Sequence, residues 1–530
     1  MRHGPDVDWG AVIRECATDL PSLRWRRACT CWVAAAGLLA GAFSAGCQGW
    51  PRRRPLAVTL DRVPLTLDPH HHNETVSWSL LSNFYDALVR FSPEMKIEPA
   101  LARSWTQVDA SHVRFALRPG VRFHDGKSFT SADVIASFKR ALRDPQSKMR
   151  HRLVGIRGVV AEGETAVVFA TESPAPTLVN RLAFLFIVPM EQAHLPEISV
   201  PVGTGPYRFV RREPDGSVEA EAWPGWRDPP RIRRVVFSFV EDEEGRGERF
   251  LAGGVDVSFR MSESLLPEVP RHPDLRLKPQ PSLAVQLLAV APNAASGKLR
   301  RALGDPRVRR ALLLAIDRND VVARVYRGHG AVASQYVHPV VFGYDPALAP
   351  LAFDPERARA LLAEAGFADG FSVELAHGSL PPEYVEAIVA GLGRIGVRVT
   401  PVRLTLGELV QRARAGRLPL FTYGRACSTG DASELLESTV HTADPDRGFG
   451  DENFSGYSDP QTDALIEAAD RELDTGARLA LLQRAQRRVL DALPVVPLTV
   501  RSDFLGLSSR VDVRPRFDGW MWVAGFRWQR

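Results

Sequence analysis

His70-His71-His72 is the densest run of ligand-forming side chains in the chain. Imidazole suits nickel or haem iron. Neighbouring residues of a regular strand face opposite sides, however, so three adjacent rings cannot all meet one ion there. Direct metal contact, polar contacts lining a pocket and an ordinary exposed turn are the three readings. Cysteine chemistry is sparse. Cys16, Cys29, Cys31 and Cys47 lie early in the chain, so no disulfide framework supports the rest. Cys427, alone in the body, reads as a small buried side chain before a ligand or redox thiol. His124, beside the Asp125-Gly126 turn signal, reads as a surface or hydrogen-bonded histidine. Asp317-Arg318 reads as the charged end of a helix. The sequence has no Gly-x-Ser-x-Gly elbow, no His-Glu-x-x-His zinc helix and no Gly-x-x-x-x-Gly-Lys phosphate loop. An enzyme is therefore not expected.

The 530 residues are 45% hydrophobic and 24% charged, which excludes disorder, collagen and coiled coil as the dominant class. At about 100–200 residues per domain, the length suggests about three structural units. Lys and Arg (67) barely exceed Asp and Glu (62), and no basic cluster in the body points to nucleic acid.

Arg24, Arg26 and Arg27 precede an apolar run from Ala28 to Ala45, which leads into Gly46-Cys47. This pattern resembles a bacterial lipoprotein signal, in which that Cys becomes the lipidated first residue. Ser44 stands where the pattern usually has an aliphatic residue. An uncleaved anchor helix and an ordinary cleaved signal are the alternatives. All of them export the body, to the periplasm or the outer face of the cell membrane. Residues 1–47 are expected to be the export signal, with Cys47 the lipidation site. Residues 48–55, with Arg52, Arg53 and Arg54, form a basic tether that either meets anionic headgroups or stays solvated. No later stretch is long and apolar enough to span a bilayer.

From Leu56 onward strands and helices mix, without a repeat. Thr130 with Asp133, and the pairs Asp305-Pro306, Asp354-Pro355 and Asp459-Pro460, open helices. Asp or Thr caps the free N–H groups, and Pro fits the first position because its missing N–H is not needed there. Another helix from about Ala477 must end before Pro494. Strands are expected at Val113–Leu117, Ala166–Ala170, Arg233–Val240, Ala284–Val290, Ser372–Ala376 and Val397–Leu404. The irregular alternation reads as α/β lobes with mixed sheets.

Six segments, in order, resemble the large extracytoplasmic solute-binding proteins of the dipeptide/oligopeptide/nickel type that serve ABC importers. They are Leu65-Thr66-Leu67-Asp68-Pro69 with Asn83-Phe84-Tyr85-Asp86-Ala87-Leu88-Val89; Pro99-Ala100-Leu101-Ala102-Arg103-Ser104-Trp105 running to Thr130-Ser131-Ala132-Asp133-Val134; Gly203-Thr204-Gly205-Pro206-Tyr207; Arg307 to Arg318; Asp354 to Gly370; and Asn453-Phe454-Ser455-Gly456-Tyr457-Ser458-Asp459-Pro460. The resemblance spans roughly Leu56 to Trp528. It implies an α/β, two-lobed periplasmic-binding-protein fold of type II, large cluster, with an extra subdomain, a hinge and a ligand cleft between the lobes. Lobe I would take 56–77, 189–286 and 497–530, the extra subdomain 78–188 and lobe II 287–496. Hinge crossings would lie near Leu287–Ala291 and Pro497–Val500.

The implied function is capture of a peptide or peptide-like solute and delivery to a membrane permease and its ATPases, by a monomer without cofactor, metal site or nucleic acid. A ligand sensor or peptide chaperone on the same fold, or a nickel or haem binder, is the alternative. In the peptide binders an Asp of the second lobe meets the ligand's α-amine, a few residues after a Trp and ahead of a Gly-Asp element. The matching stretch here begins at Tyr423. With Gly430-Asp431 as that element, Arg425 takes the Trp position and Ser428 the Asp position. The amine anchor is then missing, and a buried Arg425 would favour a carboxylate. Asp431 would hold an amine or pair with Arg425. His71, His72, Asn73 and Trp78 lie near where family members approach the cleft and complete the expected contacts.

Overall fold

The computed structural model describes residues 54–529. The export signal, Cys47 and all but the end of the tether lie outside the described residues. Two long strands, Leu275–Val290 and Val495–Ser508, run antiparallel through the middle of an 11-stranded sheet. On one side the sheet continues through Val257–Met261, Leu56–Leu60, Arg234–Phe239, Val218–Ala222 and Tyr207–Arg212. On the other it continues through Leu420–Ala426, Ser372–His377 and Arg398–Arg403. The eleventh strand, Ala331–Val332, pairs with Val495–Ser508 at Val500 and Thr499.

The ladder of the long pair is not continuous. Its register shifts between Pro281 and Val285, opposite Ser502 and Val500, and again between Gln286 and Leu287. Prolines at 279 and 281 remove ladder donors at the approach to the first shift. The first break lies a few residues before the crossings expected from sequence.

Residues 102–171 form a separate antiparallel four-stranded sheet: Ala102–Asp109, His112–Leu117, Ala166–Thr171 and Ile156–Ala161. The helix Ser131–Arg143 packs on it through Val134, Phe138 and Ala141, with Phe138 edge-on to Phe169. Its first turn is held by Asp133, which accepts from the Thr130 amide at 2.8 Å. The Asp-Pro helices form as expected: Asp305, Asp354 and Asp459 accept from Arg307, Arg357 and Gln461 amides at 2.8, 2.8 and 3.3 Å. The last long helix, Thr475–Ala492, is capped by Asp474 and ends on Leu493 in the left-handed region, φ 48°.

One expectation needs correction. Asp317-Arg318 does not end a helix. The helix stops at Ala315, Asp317 caps the next one by accepting from Asp320, and Arg318 is buried. Its guanidinium binds the carbonyls of Ala333, Pro497 and Leu351, so it ties the helix end to the long strand Val495–Ser508. Gly203 and Gly205 are required by close approach rather than by a special φ. A Cβ there would come within 2.1 Å of the Phe84 carbonyl oxygen and 2.5 Å of its carbon. Among the described residues no helix is long and apolar enough to cross a membrane.

Candidate functional site

The turn after Leu67 is organised around Asp68. Its fully buried carboxylate accepts from the amides of His70 (2.9 Å) and Ile198 (2.8 Å) and from both ends of Arg140 (2.9 and 2.5 Å). Burial alone would raise its pKa, but Arg140 and the two amides outweigh it and hold it below the usual value.

This turn sends the three histidines to three different places. His70, 0% exposed, donates from Nε2 to the Phe186 carbonyl (2.9 Å) and accepts at Nδ1 from Arg140 (3.0 Å). His71 pairs with Asp144 at 2.6 Å. His72 is 1% exposed, and neither ring nitrogen has a hydrogen-bond partner. Burial, with Arg140, brings His70 down to about 4, and burial brings His72 down to about 3, so both are neutral near pH 7. The exposed-turn reading fails for His70 and His72, while Asn73 is exposed.

His72 faces aromatic carbon instead. Its ring lies 4.4 Å from Trp78, edge-on. Trp78, 4% exposed, stacks on Trp520 at 6.0 Å and 7° and meets Phe184 and Phe186 edgewise or tilted at 5.2 and 5.4 Å. The Arg152 guanidinium covers the Phe184 ring at 3.8 Å.

Arg152 links this cluster to the stretch that follows Tyr423. It donates to Ser428 Oγ at 3.0 Å and lies 3.9 Å from Glu434. Glu434 accepts from the Ser428 hydroxyl (2.6 Å) and from the amide and hydroxyl of Thr429 (2.8 and 2.9 Å). Asn180 donates to the Thr429 carbonyl at 2.8 Å. Against the cost of burial, Arg152 and these donors hold Glu434 below its ordinary pKa.

The other predicted residues divide. Arg425 is half-buried, 27% exposed, and pairs with Glu452 at 2.9 Å; its Nε has no partner. Tyr423 packs beside Phe421 and Phe454. Asp431 does not pair with Arg425. It is buried, and Arg478 grips both its oxygens at 2.6 and 2.8 Å. That carboxylate is occupied by the protein, which removes the amine-holding role expected for it. Cys427 is buried and donates to the Asp431 carbonyl at 2.7 Å, in keeping with a small buried side chain.

Sequence reasoning missed Arg152, Glu434, Phe184 and Trp520. No local pattern distinguishes one arginine among so many, and Trp520 reaches Trp78 across more than 400 residues. The assembled groups are a buried aromatic cluster, an unpaired neutral imidazole and two half-buried cation–carboxylate pairs, Arg152–Glu434 and Arg425–Glu452.

Residues 96–446 match the family model described as bacterial extracellular solute-binding proteins, family 5, middle. The chain belongs to this family. It is 29% identical over 504 residues to di/tripeptide-binding protein 2 of Pseudomonas aeruginosa, covering 87% of this chain and 92% of that one. It is 28% identical over 490 residues to heme-binding protein A of Haemophilus influenzae, covering 85% and 88%. Its fold matches the ABC transporter-associated periplasmic binding protein DppA of Helicobacter pylori, in complex with the peptide STSA, at a TM-score of 0.74 and 22% identity, covering 90% and 98%. The α/β two-lobed periplasmic-binding-protein fold expected from the sequence is the fold found. As a family member the chain is an extracellular solute-binding protein.

Proposed function

We propose that the chain captures a small peptide or peptide-like solute between its lobes and hands it to the permease. The observation that carries this reading is the meeting of the His72–Trp78–Trp520 cluster with Ser428 and Glu434 through Arg152. The three expected parts of the fold, 78–188, 287–496 and the discontinuous remainder, each contribute residues. The main chain of an extended peptide would add hydrogen bonds at this junction. Arg425 would meet a ligand carboxylate in place of Glu452, and Ser428 would take the place of an acidic amine anchor.

Native mass spectrometry of protein purified without refolding tests the reading. Co-purifying peptides of mixed sequence, lost on Arg425→Ala, support it; an occupant without amide bonds overturns it. One observation favours a second reading. His72 is neutral with both nitrogens unpartnered, as a ligand to a haem or nickel chelate would be. Metal that survives desalting and disappears in His72→Ala would replace the peptide reading.

We propose also that Cys47 carries the lipid that anchors the protein to the membrane. Labelling with a radioactive fatty acid, retained by the natural chain and lost in Cys47→Ser, tests it; equal labelling of both refutes it.

A further inference from the structure

Two carboxyl groups meet where residues 150–182 pack on residues 428–470. Glu437 lies on the helix Ser433–Thr439, and Asp470 follows the helix Pro460–Ala469. Their side chains are hydrogen-bonded to each other, and Asp470 also meets Ser433. Two carboxylates offer only acceptors, so a hydrogen bond between them requires one to carry a proton. Asp470 Oδ1 is buried and has no other donor.

The balance of charge at the junction points the same way. Asp431, Glu434, Glu437 and Asp470 gather here with Arg152, Arg181 and Arg478. Arg478 is committed. It grips both oxygens of Asp431 and donates to Ser433 and to the Ala469 carbonyl. Arg152 lies 3.9 Å from Glu434. The loop whose Gly450 amide donates to the Glu437 carbonyl carries exposed Asp451 and Glu452, and Arg425 holds Glu452 at 2.9 Å. That leaves Arg181 of the helix Leu178–Leu182 facing both Glu437 and Asp470. Arg181 donates to the Val154 carbonyl at 2.8 Å, and its Nε has no partner. One guanidinium balances one carboxylate, so the other acid completes a neutral cluster only when protonated. Burial first, and then the neighbouring Asp470, push the Glu437 carboxyl well above its usual value, and Arg181 is outweighed. Burial raises Asp470 as well.

The two sides of the cluster come from segments far apart in the chain. Beside Arg181, Asn180 donates to the Thr429 carbonyl at 2.8 Å, and Arg152 donates to Ser428. Loss of the proton leaves a negative charge at the junction that no committed arginine meets. Parting the two segments admits water to that charge.

We propose that Glu437 and Asp470 hold one proton that fastens residues 150–182 to residues 428–470, and that its loss as pH rises loosens this contact and the grip on solute. Only the last step rests on the solute-capture reading; the proton does not. The packed form keeps the proton at pH values where the parted, solvated pair has released it. Low pH therefore favours the packed form, by at most about tenfold per pH unit for one proton.

Two measurements on the full chain, freed of solute, test the proposal. In infrared difference spectra near pH 7 the natural protein should show the carbonyl stretch of a neutral carboxylic acid that Glu437→Gln lacks. In solution scattering from about pH 5.5 to 8.5, the radius of gyration of the natural protein should grow with pH, and that of Glu437→Gln, which stays uncharged, should not. Asp470→Asn removes the same proton and replaces Glu437→Gln should that variant fail to fold. Absence of the difference band, a radius that is constant or grows as pH falls, or the same pH dependence in variant and natural protein would each overturn the proposal. None of these outcomes depends on which solute co-purifies, so the solute-capture reading stands or falls separately.

Discussion

Asp431 and Asp68 are both buried carboxylates gripped by one arginine through two hydrogen bonds. Such a pair costs desolvation on both sides, and losing one partner strands the other charge. Arg478→Met should therefore destabilise the protein by about 3–5 kcal/mol in urea unfolding, while solute affinity of the folded fraction stays unchanged. A large loss of affinity without loss of stability would return Asp431 to the binding site. The buried histidines set a pH dependence. His70, His72 and His124 are lowered to about 4, 3 and 4, chiefly by burial. The unfolded chain takes up protons on these rings below about 6.5, and the native protein does not until pH falls further. Their contribution is thus complete above pH 6.5 and lost as pH falls from 6.5 towards 4, by up to about 1.4 kcal/mol per pH unit for each ring. Melting temperatures across that window should fall steeply, and a His72→Phe variant should show a shallower slope.

At the scale of elements, the local signals were good guides. The Asp-Pro starts and the Thr130–Asp133 start are one-turn devices whose partners lie within three residues, so sequence alone specifies them. Asp354→Ala should cost about 1 kcal/mol in thermal or chemical unfolding, the ordinary value of a lost N-cap; no change would mean that the Asp354–Arg357 bond is idle. Strand positions were also legible, because β-branched and aromatic runs mark them. Strand length was not. The expected strand at Ala284–Val290 begins at Leu275, through two prolines that a sequence reading counts against it. The long ladder is broken at Pro281–Val285, so a hinge there would leave the nearby amides unprotected. Amide exchange at Ser282 and Leu283 should outpace that at Leu287–Val290; uniform protection would place the hinge elsewhere.

At the scale of the whole molecule, two side chains link segments far apart in the chain. Arg152 and Asn180 reach from the small-sheet region to Ser428, Glu434 and Thr429. Hydrogen bonds to charged groups contribute about 1.5–3 kcal/mol, enough to move a two-state equilibrium by tenfold or more. The double substitution Arg152→Ala, Asn180→Ala should enlarge the radius of gyration in solution scattering and weaken solute binding about tenfold. An unchanged scattering profile would show that closure rests on other contacts.

The amino-acid sequence by itself determined the caps and most strands, through periodicity and turn chemistry within short windows, while six ordered motifs carried the resemblance that implied the family and the two-lobed fold. It also brought His72, Trp78 and Ser428 into consideration. Only the tertiary structure decided what each does. Asp431 meets Arg478 rather than Arg425, and His70, His71 and His72 diverge to a carbonyl, a carboxylate and an indole. Partners such as Trp520 for Trp78, or Arg152 for Ser428, lie hundreds of residues apart. A side chain's chemistry depends on burial and on the nearest charge. Both are set by which distant segments fold against it.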